Sequence, residues 1–154
     1  MFLFNVRVYG LLINEQDEIL LSDEEHQCVR FSKFPGGGLE YGEGLLDALK
    51  REFMEECETG IEVLEHIYTT DFFEKSSFNE SQIISIYYLV RPLEPLKCRI
   101  SQGSFDFDND GLVKQSFRWV SVEDLSPDDV TFLTDKIAIE KLQQFWQKER
   151  GLKR

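Results

Sequence analysis

Three consecutive glycines at positions 36–38 precede, after a short polar stretch, a segment of helical periodicity that begins at Leu45. Glycine adopts backbone conformations that other residues avoid, so three in a row predict a tight turn or a close backbone approach. From Leu45 to Cys57 the apolar positions fall within about 120° of a helical wheel. The sequence therefore predicts a glycine-rich loop that leads into an amphipathic helix.

Strands are predicted on both sides of this helix. Residues 3–13 and 19–21 are apolar segments separated by the turn-forming residues 14–17, a pattern that favours a hairpin. Later strands are predicted over residues 61–74, 82–91 and 115–120. Near Pro127 the sequence favours a loop or a short helix, and a last helix is predicted from about Thr134 to Glu149.

The order of these elements favours an α+β fold, or an α/β/α sandwich, over a regular alternation of strands and helices. No Pro- or Ser-rich linker, internal repeat or low-complexity tract divides the 154 residues. We therefore expect one domain over residues 1–154, a length typical of a single core. Hydrophobic residues make up 42% of the chain, which is enough to build such a core.

The chain carries a formal net charge of −12, from 17 Lys and Arg against 29 Asp and Glu. This charge repels polyanions, so nucleic-acid polymers and anionic membrane surfaces are not expected as partners. Phosphorylated small molecules remain compatible with it where cations mediate the contact.

Other bulk features indicate the compartment. No apolar run approaches the roughly 20 residues that span a bilayer, and the apolar N-terminus lacks the basic start and the cleavage site of a signal peptide. The three cysteines are odd in number and form no C-x-x-C pair, which disfavours a disulfide framework. We expect a cytoplasmic protein without a membrane partner.

The predicted helix carries three carboxylates at positions i, i+3 and i+4, namely Glu52, Glu55 and Glu56. Each like-charge pair at this spacing costs a few tenths of a kcal/mol (about 0.2–0.5) on an isolated helix. A solvated acidic face is the ordinary explanation of such a pattern. A hard divalent cation such as Mg²⁺ would make the same arrangement favourable, because it prefers oxygen ligands.

The segment from Gly37 to Glu56 resembles the signature box of the Nudix hydrolases, G-x5-E-x7-R-E-U-x-E-E-x-G-U, where U is aliphatic. Six fixed positions agree at the correct spacing: Gly37, Glu43, Arg51, Glu52, Glu55 and Glu56. Phe53 takes the aliphatic position. The box departs from the pattern at its end, where Glu58 replaces the expected glycine and Gly60 follows two residues later. If Gly60 is the left-handed helix cap, the helix is predicted to extend by about half a turn.

The resemblance implies an α/β/α sandwich with a mixed sheet and a loop-helix-loop catalytic motif. It also implies a bound divalent metal, Mg²⁺ or Mn²⁺, and hydrolysis of a pyrophosphate linkage in a nucleoside diphosphate-linked compound. By position in the box, Glu52, Glu55 and Glu56 are the implied catalytic metal ligands, and the Gly37 carbonyl is a further candidate ligand. Glu43 and Arg51 are expected, with Gly37, to hold the loop and helix together.

Candidates outside the box are weaker. Members of this family often use an additional acid from elsewhere, for which the candidates are Glu80, Asp106, Asp108 and Asp110. Residues 106–111 match the first half of an EF-hand loop, but Phe117 stands where a bidentate Glu is required, so a calcium site is not expected. Candidate phosphate-binding residues are Arg7 and Arg30, together with Lys33 and Arg91. Candidates for stacking on a base are Phe72, Phe73, Tyr87 and Tyr88.

The substrate class stays open between a nucleotide sugar, an ADP-ribose-like compound and a nucleoside triphosphate. Residues 61–77 lack the proline that is typical of ADP-ribose hydrolases in this family. The alternative is a catalytically inactive Nudix-like module that binds a nucleotide or has a regulatory role, for which the displaced glycine is the sequence argument. A small nucleotide is the expected partner, and a homodimer is expected only because many relatives dimerise.

Overall fold

The computed structural model describes residues 3–152 of the chain. Its strands are β1 (Phe4–Leu12), β2 (Glu18–His26), β3 (Val29–Lys33), β4 (Gly36–Gly38), β5 (Ile61–Thr69), β6 (Gln82–Pro92) and β7 (Val113–Ser121). Its helices are α1 (Leu45–Cys57) and α2 (Leu133–Leu152), with a 3₁₀ turn at Pro127–Asp129. A single domain over residues 1–154 stays a prediction, and residues 1–2 and 153–154 lie outside the described part.

The strands form two sheets, with the orders β4-β1-β6-β5 and β3-β2-β7. The first sheet is mixed, because β1 pairs with β6 in parallel and with β4 antiparallel. The predicted hairpin between residues 3–13 and 19–21 is wrong: β1 and β2 belong to different sheets and are joined by one bridge, Ile13 to Ile19. A nearly continuous apolar run such as β1 belongs in the middle of a sheet covered on both faces, as it does here.

Each face of β1 contributes to a separate hydrophobic core. On one face Val8 and Leu12 pack with Leu49 and Phe53 of α1. On the other face Leu11 belongs to a second core, which includes the following residues of β6 and α2: Tyr87, Leu89, Ala138, Ile139 and Leu142. The predicted α+β sandwich is therefore confirmed, with helices packed on strand layers. Within residues 3–152, no helix is long and apolar enough to cross a membrane.

The end of α1 differs from the sequence prediction. The helix stops at Cys57, and Glu58 is its C-cap in the left-handed conformation, with φ of 51°. The Glu58 backbone N–H donates to the Met54 carbonyl. Glu58 thus adopts the conformation that a glycine adopts more easily at a helix end, and the predicted half-turn extension to Gly60 is wrong.

The glycines at positions 36–38 form a short edge strand rather than a free turn. They pair with Arg7, Val8 and Tyr9 of β1. This pairing fixes the start of the loop that leads into α1, and it places the glycine backbone beside the carboxylates of that helix.

We expect Gly10→Ala to destabilise the fold by about 1–3 kcal/mol, the usual cost of overpacking a core. A Cβ at this position would lie 2.7 Å from Cζ of the buried Phe53 and 3.1 Å from Cγ2 of Val90. Urea unfolding measures the effect. Gly103→Ala is the matched control, because a Cβ there meets no atom within 4 Å. Equal stability of the two variants would contradict the close packing of α1 on β1.

Candidate functional site

A cavity of about 340 Å³ lies where the glycine strand β4, the helix α1 and both sheets meet. Its lining falls into three parts. The charged part includes Arg7, Glu24, Lys33, Glu52 and Glu56 beside the glycines 36–38, and Glu74 and Lys75 also line the cavity. The aromatic part consists of His26, Phe31, Phe78 and Phe132. The inner polar part includes Ser85, Thr134 and Asp135.

Arg51 connects the separate parts of the box. Its guanidinium donates two hydrogen bonds to the Glu43 carboxylate, at 2.6 and 3.0 Å, and one to the Gly38 carbonyl at 3.1 Å. Hydrogen bonding to Arg51 keeps the pKa of Glu43 below its ordinary value. The same guanidinium donates to Glu52 at 3.0 Å and to Glu55 at 3.3 Å. Loop, glycine strand and helix are therefore held by one side chain.

Glu52 lies against the backbone of Gly37. A Cβ on Gly37 would lie 2.6 Å from Oε1 and 2.8 Å from Oε2 of Glu52. Only glycine leaves room for this carboxylate, so the sequence requirement for glycine at position 37 is steric. The arrangement brings carboxylate oxygens next to the backbone at the floor of the cavity.

Glu56 is a partly buried carboxylate that lines the cavity. It accepts hydrogen bonds from the Gly36 N–H and from Nε2 of Gln115, both at 3.3 Å. Burial raises the pKa of Glu56 to about 7, because Lys33 only partly offsets the loss of hydration and Glu24 adds further negative charge. A nearby cation would stabilise the ionised form of this carboxylate.

Beside Glu56 lies a buried ion pair between Lys33 and Glu24. The Lys33 Nζ is 3.0 Å from the Glu24 carboxylate, which also accepts from Ser22 Oγ at 2.9 Å. Burial alone would lower the pKa of Lys33, but Glu24, Tyr9 and Glu56 together raise it above its ordinary value. Glu24 is not apparent as a site residue from the sequence. The available signal is the period-2 series of polar residues Ser22, Glu24 and His26, which share one face of β2.

Glu55 is placed differently from Glu52 and Glu56. Its side chain is 59% exposed, contacts Arg51 and does not line the cavity. Among the residues that the structure describes, no three His, Cys, Asp or Glu side chains are grouped as metal ligands. Arg51 Nη1 donates to both Glu52 and Glu55, so the guanidinium lies between these two carboxylates.

The four candidate acids outside the box lie away from the cavity. Glu80 is exposed, pairs with Lys75 at 3.1 Å and lines a separate groove beside Tyr41. Asp106 pairs with Arg99 at 3.2 Å. Asp108 and Asp110 lie in the same exposed loop. The acid that the fold does bring to Glu52 and Glu56 is Glu24.

The four basic candidates are separated by the fold: Arg7 and Lys33 line the cavity, whereas Arg30 and Arg91 do not. Arg7 lines the cavity, and its Nε donates to the Tyr9 hydroxyl at 2.6 Å. Arg30 lies outside the cavity, where it pairs with Glu25 at 2.9 Å and stacks on Phe105, with 5.4 Å between guanidinium and ring centroid. Arg30 faces away because it follows Val29 at the exposed end of β3.

The aromatic wall of the cavity is formed by residues that are far apart in sequence. Phe31 lies 5.6 Å from Phe78 and 5.5 Å from Phe132, measured between ring centroids, and His26 lies 5.0 Å from Phe31. Of the predicted stacking candidates, Phe72, Phe73, Tyr87 and Tyr88, none lines the cavity. Only the packing of β3, the loop after β5 and the start of α2 brings the three phenylalanines together.

Asp135 lies in the first turn of α2 and is buried beside the cavity. The Tyr87 hydroxyl donates a hydrogen bond to its carboxyl. Burial raises the pKa of Asp135 to about 7, and Glu74 adds to the rise, whereas Tyr87, Lys33 and Arg7 oppose it. Asp135 is not apparent from the sequence, where it is one of several acids near α2.

The family model of the NUDIX domain matches residues 3–140. The chain belongs to the Nudix family. The match confirms the resemblance found in the sequence and the prediction of a Nudix-type pyrophosphohydrolase. Nudix hydrolases act on nucleotide-type small molecules and generally use divalent metal ions. No curated protein matches the chain.

Solved structures share the Nudix fold at low sequence identity. The E. coli ORF135 protein has a TM-score of 0.68 and 19% identity, over 92% of this chain and 89% of that chain. A MutT protein from Methanosarcina mazei has a TM-score of 0.65 and 17% identity, over 95% of both chains. An ADP-ribose pyrophosphatase from Streptococcus suis has a TM-score of 0.57 and 18% identity, over 95% of this chain and 92% of that chain. At such identities the similarity concerns the fold.

We expect Asp135→Asn to change the pH dependence of stability. The wild-type carboxyl keeps its proton in the folded state up to about pH 7, whereas the unfolded chain loses it near pH 4. The free energy of unfolding of the wild type therefore falls between pH 4 and 7, relative to a variant that does not titrate. As the pH rises from 5 to 8, urea unfolding is expected to show that the free energy of unfolding of Asp135→Asn increases by on the order of 2 kcal/mol relative to that of the wild type.

Asp108→Asn is the control for this experiment, because Asp108 lies in an exposed loop. Its stability difference from the wild type is expected to be the same at both pH values. A constant difference for Asp135→Asn as well would contradict the burial of a carboxyl whose pKa is raised.

Proposed function

We propose that this protein is a divalent-metal-dependent hydrolase of the pyrophosphate linkage in a nucleoside diphosphate-linked compound. One observation carries the proposal: Glu52 and Glu56 lie with the backbone of Gly36–Gly38 at one end of a cavity that also has an aromatic wall. A phosphate-binding end and a ring-binding wall within one cavity suit a nucleotide better than either an isolated phosphate or an apolar ligand.

The donor atoms at the charged end fit Mg²⁺ or Mn²⁺. Both ions prefer oxygen ligands and commonly bind through carboxylates together with substrate phosphates. Glu52, Glu56 and the Gly37 carbonyl are the proposed ligands in the cavity, and the crowded approach of Glu52 to Gly37 supports this set. Glu55 is proposed as the remaining ligand, on the condition that its carboxylate leaves Arg51.

Bound Mg²⁺ or Mn²⁺ supplies positive charge that stabilises the developing charge on the phosphoryl oxygens of the substrate. The residues of the chain carry out the remaining tasks. Glu56, which is partly buried and accepts hydrogen bonds from Gly36 and Gln115, is the residue proposed to accept a proton from the attacking water. Arg51 orients Glu52, and Arg7 and Lys33 add fixed positive charge beside the two carboxylates.

The aromatic wall supports a nucleoside as the second part of the substrate. Phe78, which is 58% exposed, and the partly exposed Phe132 offer ring faces on which a base can stack, and the buried Phe31 packs against both rings. A nucleotide sugar, an ADP-ribose-like compound and a nucleoside triphosphate all combine a base with a pyrophosphate linkage. The assay is therefore a panel of these three classes with Mg²⁺ and Mn²⁺, followed by product separation.

The end of α1 supports an active enzyme over the inactive module. The sequence argument for the inactive module is the missing glycine after Glu56. Glu58 adopts the left-handed conformation at that position, so the helix still ends directly after the box.

We also propose that the protein acts in the cytoplasm, and a homodimer stays a prediction.

Glu56→Gln is expected to lower kcat by roughly 10²- to 10⁴-fold, the usual loss when a general base is removed. The amide can still accept from the Gly36 N–H but can neither take up the proton nor contribute negative charge to a metal site. Stability is expected to change little, since the substitution removes a buried carboxylate. Initial rates on the best substrate of the panel and urea unfolding measure both quantities.

Glu65→Gln is the matched control, because Glu65 is an exposed carboxylate on β5. Its rate is expected to equal that of the wild type. A near-normal rate for Glu56→Gln on a confirmed substrate would overturn the proposed role of this residue.

Removal of divalent cations is expected to abolish hydrolysis and to weaken substrate binding. Without a cation, the acidic end of the cavity repels the phosphates. The wild type is treated with EDTA and assayed before and after addition of Mg²⁺ or Mn²⁺, and calorimetry follows binding of a nucleoside diphosphate in both states. Full activity in EDTA would contradict a metal-dependent mechanism.

A further inference from the structure

We propose that Cys57 and Cys98 are a reversible redox pair, which forms a disulfide on oxidation by a hydroperoxide and returns to two thiols on reduction by a dithiol. The disulfide joins the end of α1 to the segment between β6 and β7. Neither residue lines the cavity, so the pair is a modification site separate from the proposed active site. Two features of the fold bring the sulfur atoms together: a shared hydrophobic core, and a segment that is fixed at both ends.

Cys57 is the last residue of α1 and belongs to the core beneath that helix. It is 0% exposed and packs in the same core as Leu49 and Phe53, which precede it at four-residue intervals. Residues four apart share a helix face, so the thiol lies on the packed side of α1. Burial shields this sulfur from an oxidant in solution. Its oxidation therefore requires a second thiol that reaches both the core and the solvent.

Cys98 lies in a segment that covers this core. Leu96, Cys98 and Ile100 are partly buried and pack against the core that contains Cys57, whereas the two residues between them are exposed. An alternation with a period of two is that of an extended chain. The Cys98 side chain is therefore one of three that point toward the core, and it remains partly accessible from outside.

Backbone hydrogen bonds fix this segment at both ends. At its start, the Leu93 N–H donates to the Gly60 carbonyl, just after the end of α1, at 2.9 Å. At its end, the Ser101 N–H donates to the Phe117 carbonyl of β7 at 2.7 Å. The segment 93–101 is therefore held across the exit of α1, where the two thiols meet.

The acidities of the two thiols agree with direct contact between them. Hydrogen bonding with Cys98, together with burial, raises the pKa of the Cys57 thiol. Hydrogen bonding with Cys57 lowers the pKa of the Cys98 thiol, against the opposing effect of burial. Cys57 is thus the donor and the Cys98 sulfur the acceptor. Both cysteines are free in the described chain, so the pair is in its reduced form.

One hydroperoxide accounts for the whole oxidation. The Cys98 thiolate attacks a peroxide oxygen, the O–O bond breaks, and Cys98 sulfenic acid forms while the leaving oxygen takes a proton from solvent. The Cys57 thiol then attacks the sulfenic sulfur, the S–O bond breaks, and the hydroxyl leaves as water with the Cys57 proton. Two thiols and one hydrogen peroxide thus give one disulfide and two molecules of water. A dithiol reverses the reaction by thiol–disulfide exchange and is itself oxidised.

A reversible pair is compatible with the cytoplasm, where disulfides are usually transient and redox-sensing. It differs from the disulfide framework that the odd number of cysteines disfavours, because the fold forms here with both thiols reduced. The contact between the sulfurs also protects Cys98, since a sulfenic acid beside a second thiol condenses to a disulfide before it is oxidised further.

The experiment treats the reduced full chain with hydrogen peroxide, alkylates the remaining thiols in urea, and maps the peptides by mass spectrometry without reduction. The expected product is a cross-linked pair of peptides that contain Cys57 and Cys98, in at least tenfold excess over any pair that contains Cys28. Dithiothreitol is expected to remove the cross-link and to restore both thiols. Cys98→Ser is expected to abolish it and to leave Cys57 as a free thiol, because burial shields Cys57 from the peroxide.

Cys28→Ser is the matched control, because Cys28 is an exposed thiol in the turn between β2 and β3. Its loss is expected to leave the yield of the cross-link unchanged. The same oxidation in urea is expected to give all three pairings, since the selectivity depends on the fold.

Three results would overturn the proposal. One is recovery of Cys57 and Cys98 as separate thiols or as sulfonic acids after peroxide treatment. The others are cross-links through Cys28 alone, and equal yields of the three pairings in the folded protein. The main measurement uses the wild type, so it does not depend on the folding of any variant. Neither substrate nor metal is added, and the outcome is therefore independent of the proposed hydrolase function.

Discussion

The position of the Arg51 guanidinium determines the geometry of the whole site. It joins Glu43 in the loop, the Gly38 carbonyl on β4, and Glu52 and Glu55 on α1. Carboxylates at this spacing repel one another on a helix, and a planar cation with several donors is well suited to hold them. This contact adds to the packing of Leu39, Leu49 and Phe53 in one core, which also holds α1 near the glycine strand. The cavity depends on that placement, since Glu52 reaches its floor only alongside Gly37.

Charge compensation in the cavity is incomplete, and this imbalance has a chemical consequence. Lys33 forms an ion pair with Glu24, and Arg51 forms ion pairs with Glu43, Glu52 and Glu55. Glu56 is left with neutral donors only, the Gly36 N–H and the Gln115 amide. A buried carboxylate with neutral partners keeps a high affinity for positive charge. The same imbalance that repels a free phosphate therefore favours a divalent cation, and through it the phosphate.

The parts of the site that could be predicted from the sequence are those set by local spacing. Glu52 and Glu56 share a helix face because of their separation along α1, and the glycine strand lies close to them in the chain. Glu24, Phe78 and Asp135 could not be predicted in the same way, because each reaches the cavity through long-range pairing or docking. The wrong hairpin has the same origin: a turn at residues 14–17 does not reveal that the next strand joins another sheet. The end of α1 was predicted wrongly because Glu58 adopts a conformation that its residue type disfavours.

Residues close together in the sequence and residues far apart in it contribute differently to the two ends of the cavity. Glu52, Glu56 and the glycine strand lie within one stretch, from β4 through α1, so a short motif can convey them. Arg7, Glu24 and Lys33 join the charged end from β1, β2 and β3. The aromatic and polar end is assembled from β3, the loop after β5, strand β6 and the start of α2. The signature box therefore conveys only the part of the site that depends on local spacing. The rest of the cavity depends on how β3, β6 and the start of α2 are brought together.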